Sequence, residues 1–193
     1  MKNAIKKILI TAVLVVSLNG CAISVMKGNP RPNIDIDPSD QKLTIMLDDS
    51  IQNAFVIPRQ AALAEVQVTQ WRDTLVAGFN TGFGSYFNMV PSDGDLVIQL
   101  VRTDLSFAPK AVTAEGISVA IAAQITFQAR LLDSQGNILS RTNGTISAKQ
   151  AITNSNEATA NVVSALETMF EQIAMAFFGN QEPAQTQSPD VVP

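Results

Sequence analysis

The sequence predicts an α+β domain: an antiparallel sheet with two helices packed on one face, in the order β-α-β-β-β-α. Three observations carry this. A long strict alternation runs from Ile117 to Leu131. A four-residue apolar period starts at Trp71, and a second helical stripe lies between Asn154 and Phe178. Period two marks a sheet with one covered face, and period 3.6 marks amphipathic helices that must lie on something.

In chain order, "KLTIML" from Lys42 to Leu47 alternates as a strand, and "AEVQV", ending at Val68, reads as a short second one after Pro58. Trp71, Leu75, Phe79 and Phe83 then form the apolar stripe of the first helix, with Arg72, Asp73, Asn80 and Thr81 off that stripe and Thr69 as the expected N-cap. Gly78, Gly82 and Gly84 each cost up to about 1 kcal/mol of helix propensity. A helix that carries them is expected to press its backbone against a neighbour and to fray near Gly84. "PSDGD", Pro91 to Asp95, is a turn, and "LVIQLVRTDLSF" follows as a strand.

In the next strand Ile117, Val119, Ile121, Ala123, Ile125, Phe127, Ala129 and Leu131 share one face. Ser118, Ala120, Ala122, Gln124, Thr126, Gln128 and Arg130 share the wetter one. "DSQGN", from Asp133, turns the chain back into Ile138–Ala148. Within that return Asn143-Gly144 is read as a bulge or kink in preference to a further hairpin. Asn154, with Glu157 three residues on, resembles a capping box for the last helix. Its buried stripe is Val162 or Val163, Leu166, Phe170, Ile173 and Phe177, and Gly179 ends it. No internal repeat is visible.

Outside this unit the composition changes. Lys2, Lys6 and Lys7 give a basic start, followed by an almost unbroken apolar run from Ile8 to Leu18. That run is too short to span a bilayer, which needs about 20 residues, but fits the core of a secretory signal. It ends Leu18-Asn19-Gly20-Cys21, and Cys21 is the only cysteine. The quartet resembles the lipobox of bacterial lipoproteins, with Asn19 a departure from the usual small or apolar residue. The resemblance implies cleavage between Gly20 and Cys21, a diacylglycerol on the Cys21 sulfur and acylation of the new N-terminus. Ala22 after the cysteine, by likeness to known sorting signals, implies the inner leaflet of the outer membrane, facing the periplasm. The bland reading is a cysteine that happens to follow a plain signal or an anchor helix. The expected organisation is a signal over 1–20, a lipidated cysteine with flexible tether over 21–41, a periplasmic domain over 42–179 and a disordered tail over 180–193. Pro30, Pro32 and Pro38 motivate the tether, and the Gln/Pro/Ser-rich end motivates the tail.

Composition narrows the chemistry. There are 13 basic and 17 acidic side chains. Removing the three lysines of the signal leaves ten against 17, a net charge of −7, which disfavours nucleic acid as a partner. With no histidine in the chain, Ser-His-Asp triads, Cys-His pairs and His-containing zinc sites are excluded. Asp48-Asp49 and Asp93-x-Asp95 are carboxylate pairs, but adjacent aspartates after a strand are commonly solvated turn residues. The expectation is therefore a protein without catalysis, metal or cofactor.

Laid out in this way, the chain is similar to the auxiliary lipoproteins of envelope ABC transport systems, and about as much to the small YajG family of lipoproteins. "VTQWRDTLVAGF", "DLVIQL", "AQITFQARLLDSQGNIL" and "VVSALETMFEQIA" carry the likeness. It implies a non-enzymatic accessory that docks on an envelope protein partner in lipid transport or assembly. A carrier of an apolar ligand, with phenylalanines lining a cleft between helices and sheet, is the alternative. Met175 and Phe178 are the candidate partner or ligand contacts, because "IAMAFF" is apolar nearly all round. The competing reading has loops, or Phe83, Tyr86 and Phe87, covering them.

Overall fold

The computed structural model describes residues 23–58, 65–110, 120–148 and 157–179. Eight strands and two helices lie in these segments: β1 (Ile23–Val25), β2 (Lys42–Leu47), β3 (Phe55–Ile57), β4 (Val66–Val68), α1 (Trp71–Phe83), β5 (Asn88–Met89), β6 (Leu96–Lys110), β7 (Ala120–Asp133), β8 (Ile138–Ser147) and α2 (Ala158–Phe178). The main sheet has the order β5-β2-β6-β7-β8, and a smaller one has the order β1-β4-β3. The α+β class stands, but the main sheet is mixed. β2 runs parallel to both β5 and β6, while β6-β7-β8 form the expected antiparallel meander. The reason is the crossover: α1 lies between β2 and β6 in sequence, and such a connection returns the chain in the same direction.

The alternation of β7 decides which face is covered. Ala123, Ile125 and Phe127 are fully buried, and Ala129 and Leu131 nearly so, beneath α2. On the other face Gln128 is exposed, whereas Ala122, expected to be on the wetter side, is buried. Helix α2 lies over β7 and β8, α1 lies over β2, and the helices touch each other. Phe79 and Phe170 meet between them with ring centroids 4.7 Å apart. Gly78 makes this approach possible, since a Cβ there would stand 2.2 Å from the Phe170 ring. The glycines of α1 thus press against a neighbour, as their helix cost implied.

Two local expectations are corrected. Thr69 does not cap α1. Gln70 occupies the N-cap in the left-handed region (φ 56°), and Asn53 reaches in from before β3. Its carbonyl accepts the Trp71 N–H and its side-chain oxygen the Arg72 N–H, each at 2.9 Å. Asn143-Gly144 is neither bulge nor turn: β8 runs through it in register, Asn143 opposite Gln128 and Gly144 opposite Phe127. The irregularities lie instead where Val101 and Leu139 are skipped in the pairing. Glycine suits position 144 because Phe127 and Gln172 of α2 close over it. Helix α2 starts at Ala158 with Glu157 at its N-cap position; Asn154, expected to form a capping box with Glu157, lies outside the described residues.

The largest correction concerns the N-terminal segment. Residues 23–41, expected to be a flexible tether, are part of the folded body. β1 pairs with β4, and Val25, Ile34 and Ile36 are buried. The segment crosses both helices. Gly28 N–H donates to Thr74 Oγ1, Arg31 N–H to Glu167 and Asn33 N–H to Glu171. Gly82 lies beneath Pro32 and Ile34, and the Tyr86 hydroxyl donates to the Ile34 carbonyl. Prolines forbid a regular helix here but not burial, because α1 and α2 supply acceptors for the backbone donors.

Candidate functional site

Gly20 and Cys21, where cleavage and lipidation are expected, lie outside the described residues, as do the signal and the tail. The described chain begins at Ile23, whose N–H donates to the Glu65 carbonyl at 2.8 Å.

The two residues singled out at the end of α2 have different surroundings. Met175 is 57% exposed. Phe178 is half-buried in an aromatic group, 6.1 Å from Phe83 and 4.7 Å from Phe87 between ring centroids. Phe178 thus closes the helix pair, while Met175 remains at the surface. The phenylalanines that an apolar-ligand cleft would use pack on one another instead, Phe79 against Phe83 and Phe170.

Within the two carboxylate pairs, Asp48 and Asp95 accept backbone hydrogen bonds. The Asp48 carboxylate accepts both the hydroxyl and the N–H of Ser50, which hold it below the usual carboxylate range. Asp133 is likewise held low, first by the Asn137 side chain and backbone, as the anchor of the β7–β8 turn. Asp95 accepts the Lys42 N–H at 2.8 Å, and Asp93 sits in the left-handed region (φ 57°).

A feature that sequence reasoning missed is a groove of about 430 Å³ between β3 and the second half of β6. Trp71, 2% exposed, forms its inner wall. The indole N–H donates to Thr103 Oγ1 at 3.2 Å, and Phe55 meets the indole edge to face at 6.0 Å. Arg72, which does not line the groove, holds the segment that carries Ser50 and Ile51 in place. Its guanidinium donates to the carbonyls of Asp48 (2.8 Å), Ile51 (2.9 Å) and Leu47 (3.3 Å), locking the bend after β2. Ile57 and Leu105 continue the apolar side, and Arg102 and Asp104, paired with each other, form the polar side. The one signal in sequence was the single tryptophan opening a helix beside an arginine. Nothing local showed that β2 would stop short of β6's second half.

No protein-family model matches the chain, and no curated protein sequence does. Several solved structures are similar to it. A protein from Xanthomonas campestris has a TM-score of 0.48 at 16% identity, covering 80% of this chain and 93% of that one. A minor lipoprotein from Acinetobacter baumannii has a TM-score of 0.45 at 11% identity, covering 72% and 92%. An uncharacterized lipoprotein B from Nitrosomonas europaea has a TM-score of 0.43 at 12% identity, covering 76% and 88%.

Proposed function

We propose that this chain is a lipid-anchored lipoprotein of the bacterial envelope, facing the periplasm from the outer membrane, that binds a protein partner and catalyses no reaction. The observation that carries the reading is Leu18-Asn19-Gly20-Cys21 after a basic start and a short apolar core. A transferable thiol beside a small residue is what lipidation and cleavage require. Several acyl chains, at about 0.8 kcal/mol per buried CH₂, hold a protein on a bilayer for long times. The packing of Phe79, Phe83 and Phe170 on one another favours partner binding over the carriage of an apolar ligand. The resemblance to ABC-transport auxiliary lipoproteins and the YajG family makes an envelope lipid-transport or assembly complex the setting proposed here.

Cys21→Ser tests the anchor. The wild-type chain is expected to incorporate radiolabelled palmitate and to lose its first 20 residues. The variant should do neither, while melting at the same temperature, since Cys21 precedes the first strand. Label on the variant would overturn the lipoprotein reading. Crosslinking in cells, followed by identification of the captured envelope protein, tests the accessory role.

A further inference from the structure

β6 is fifteen residues long, but β2 pairs only with Leu96–Leu100. From Arg102 to Lys110, β6 is bonded to β7 on one edge, and among the described residues no strand pairs with the other. That open edge faces the groove, and across the groove lies β3, the outer strand of the small sheet.

Which groups the edge offers follows from the register. Leu100 has its side chain buried and sends its carbonyl to the β2 side, where it accepts the Asp48 N–H at 3.0 Å. The skipped Val101 shifts the phase by one residue, and the buried side chains are then Thr103, Leu105 and Phe107. In a strand, residues that share a face also send their N–H and C=O to the same edge. Thr103 and Leu105 therefore present theirs to the groove. Pro109 belongs to the same set, and a proline in a sheet is tolerated where its nitrogen faces an open edge. It closes that edge to longer pairing, the way natural edges are kept from indiscriminate association.

We propose that this groove receives an extended segment of a protein partner, which adds as a strand to β6 at Thr103–Leu105. This rests on the partner-binding reading and names the site at which it acts. Main-chain hydrogen bonds supply affinity in such augmentation, and alternate side-chain pockets supply specificity. The walls set the occupant's pattern. Apolar side chains face Trp71, Phe55, Ile57 and Leu105, and polar ones face Arg102 and Asp104.

The test uses the full-length protein in detergent micelles and peptides selected on it from a phage-displayed random library. Residue-resolved amide exchange is read with and without each peptide. In the free protein the Thr103 and Leu105 amides should exchange fast, and those of Asp104 and Ser106, directed at β7, slowly. Bound peptide should slow Thr103 and Leu105 by about tenfold or more. N-methylation of the peptide at every second residue should abolish binding in one phase and be tolerated in the other. Slow Thr103 and Leu105 amides in the dilute free protein would mean the chain fills its own edge. Protection that rises with protein concentration would make a second copy the occupant. Either result overturns the proposal, as does failure to select a peptide or selection of peptides that protect other residues. None of these readouts depends on palmitate, so failure here and failure of the anchor are separate results.

Discussion

At the scale of single residues, packing separates positions that look alike in sequence. Gly78 and Gly84 both occur in a helical pattern, yet only Gly78 faces a side chain of the other helix at van der Waals overlap. Gly78→Ala gains up to about 1 kcal/mol of helix propensity and incurs about 1–3 kcal/mol of overpacking against Phe170. The net expectation is a loss of up to about 2 kcal/mol, read by urea denaturation; a gain would show that the ring moves aside freely. Met175 and Phe178 form a second such pair. Met175→Ser should change stability by no more than about 0.5 kcal/mol, because its side chain is already in water. Phe178→Ser should cost about 2 kcal/mol, less than the 3–5 of a fully buried ring, because it is half-covered by Phe83 and Phe87. A thermal melt of the two variants checks this, and equal effects would contradict the difference in burial. Of the two, only Met175 is open to a partner without prior rearrangement.

At the scale of elements, the legible parts were those whose partner is water on one side and core on the other. β2 falls on Lys42–Leu47 as read, and the alternation of β7 places Ile125 and Phe127 inward because pattern and burial are one physical fact. What escaped depends on residues far away in sequence. Local capping rules put the N-cap of α1 at Thr69, whereas the oxygen comes from Asn53, nineteen residues before Arg72. Asn53→Ala should therefore cost about 0.5–2 kcal/mol, as a lost N-cap does. Trp71 fluorescence during denaturation is a direct readout, and an unchanged midpoint would mean that the Asn53 carbonyl alone suffices. β3 and β5 are too short for a period to show, and the groove beside Trp71 exists only because β2 stops at Leu47 while β6 continues. The skipped residues Val101 and Leu139 have no turn chemistry to announce them, whereas Asn143-Gly144 has it and lies in a regular strand.

At the scale of the whole molecule, residues 23–41 decide where the domain begins. A chain starting at Asp37 would lose the buried Val25, Ile34 and Ile36, each worth about 2 kcal/mol of burial, against a total stability on the order of 5–15 kcal/mol. Such a truncation should melt far below the full chain or fail to fold, as followed by circular dichroism. A tether removed from the same place would leave the melt unchanged. The anchor and the body would then adjoin, with one residue between Cys21 and β1.

The same segment sets an order of events in time. Met26, Arg31 and Asn33 take their acceptors from α2, at sequence separations of 133, 136 and 138 residues. Contacts this distant along the chain are slow to form, because the loop between them must first be closed. A polypeptide that emerges with its N-terminus leading has its opening segment ready first and its docking surface ready last. Until Glu167 and Glu171 have arrived, Ile34 and Ile36 have no helix pair to lie across. The fold therefore closes on itself only after nearly the whole chain is released, and any earlier pause leaves its first apolar residues open to other chains.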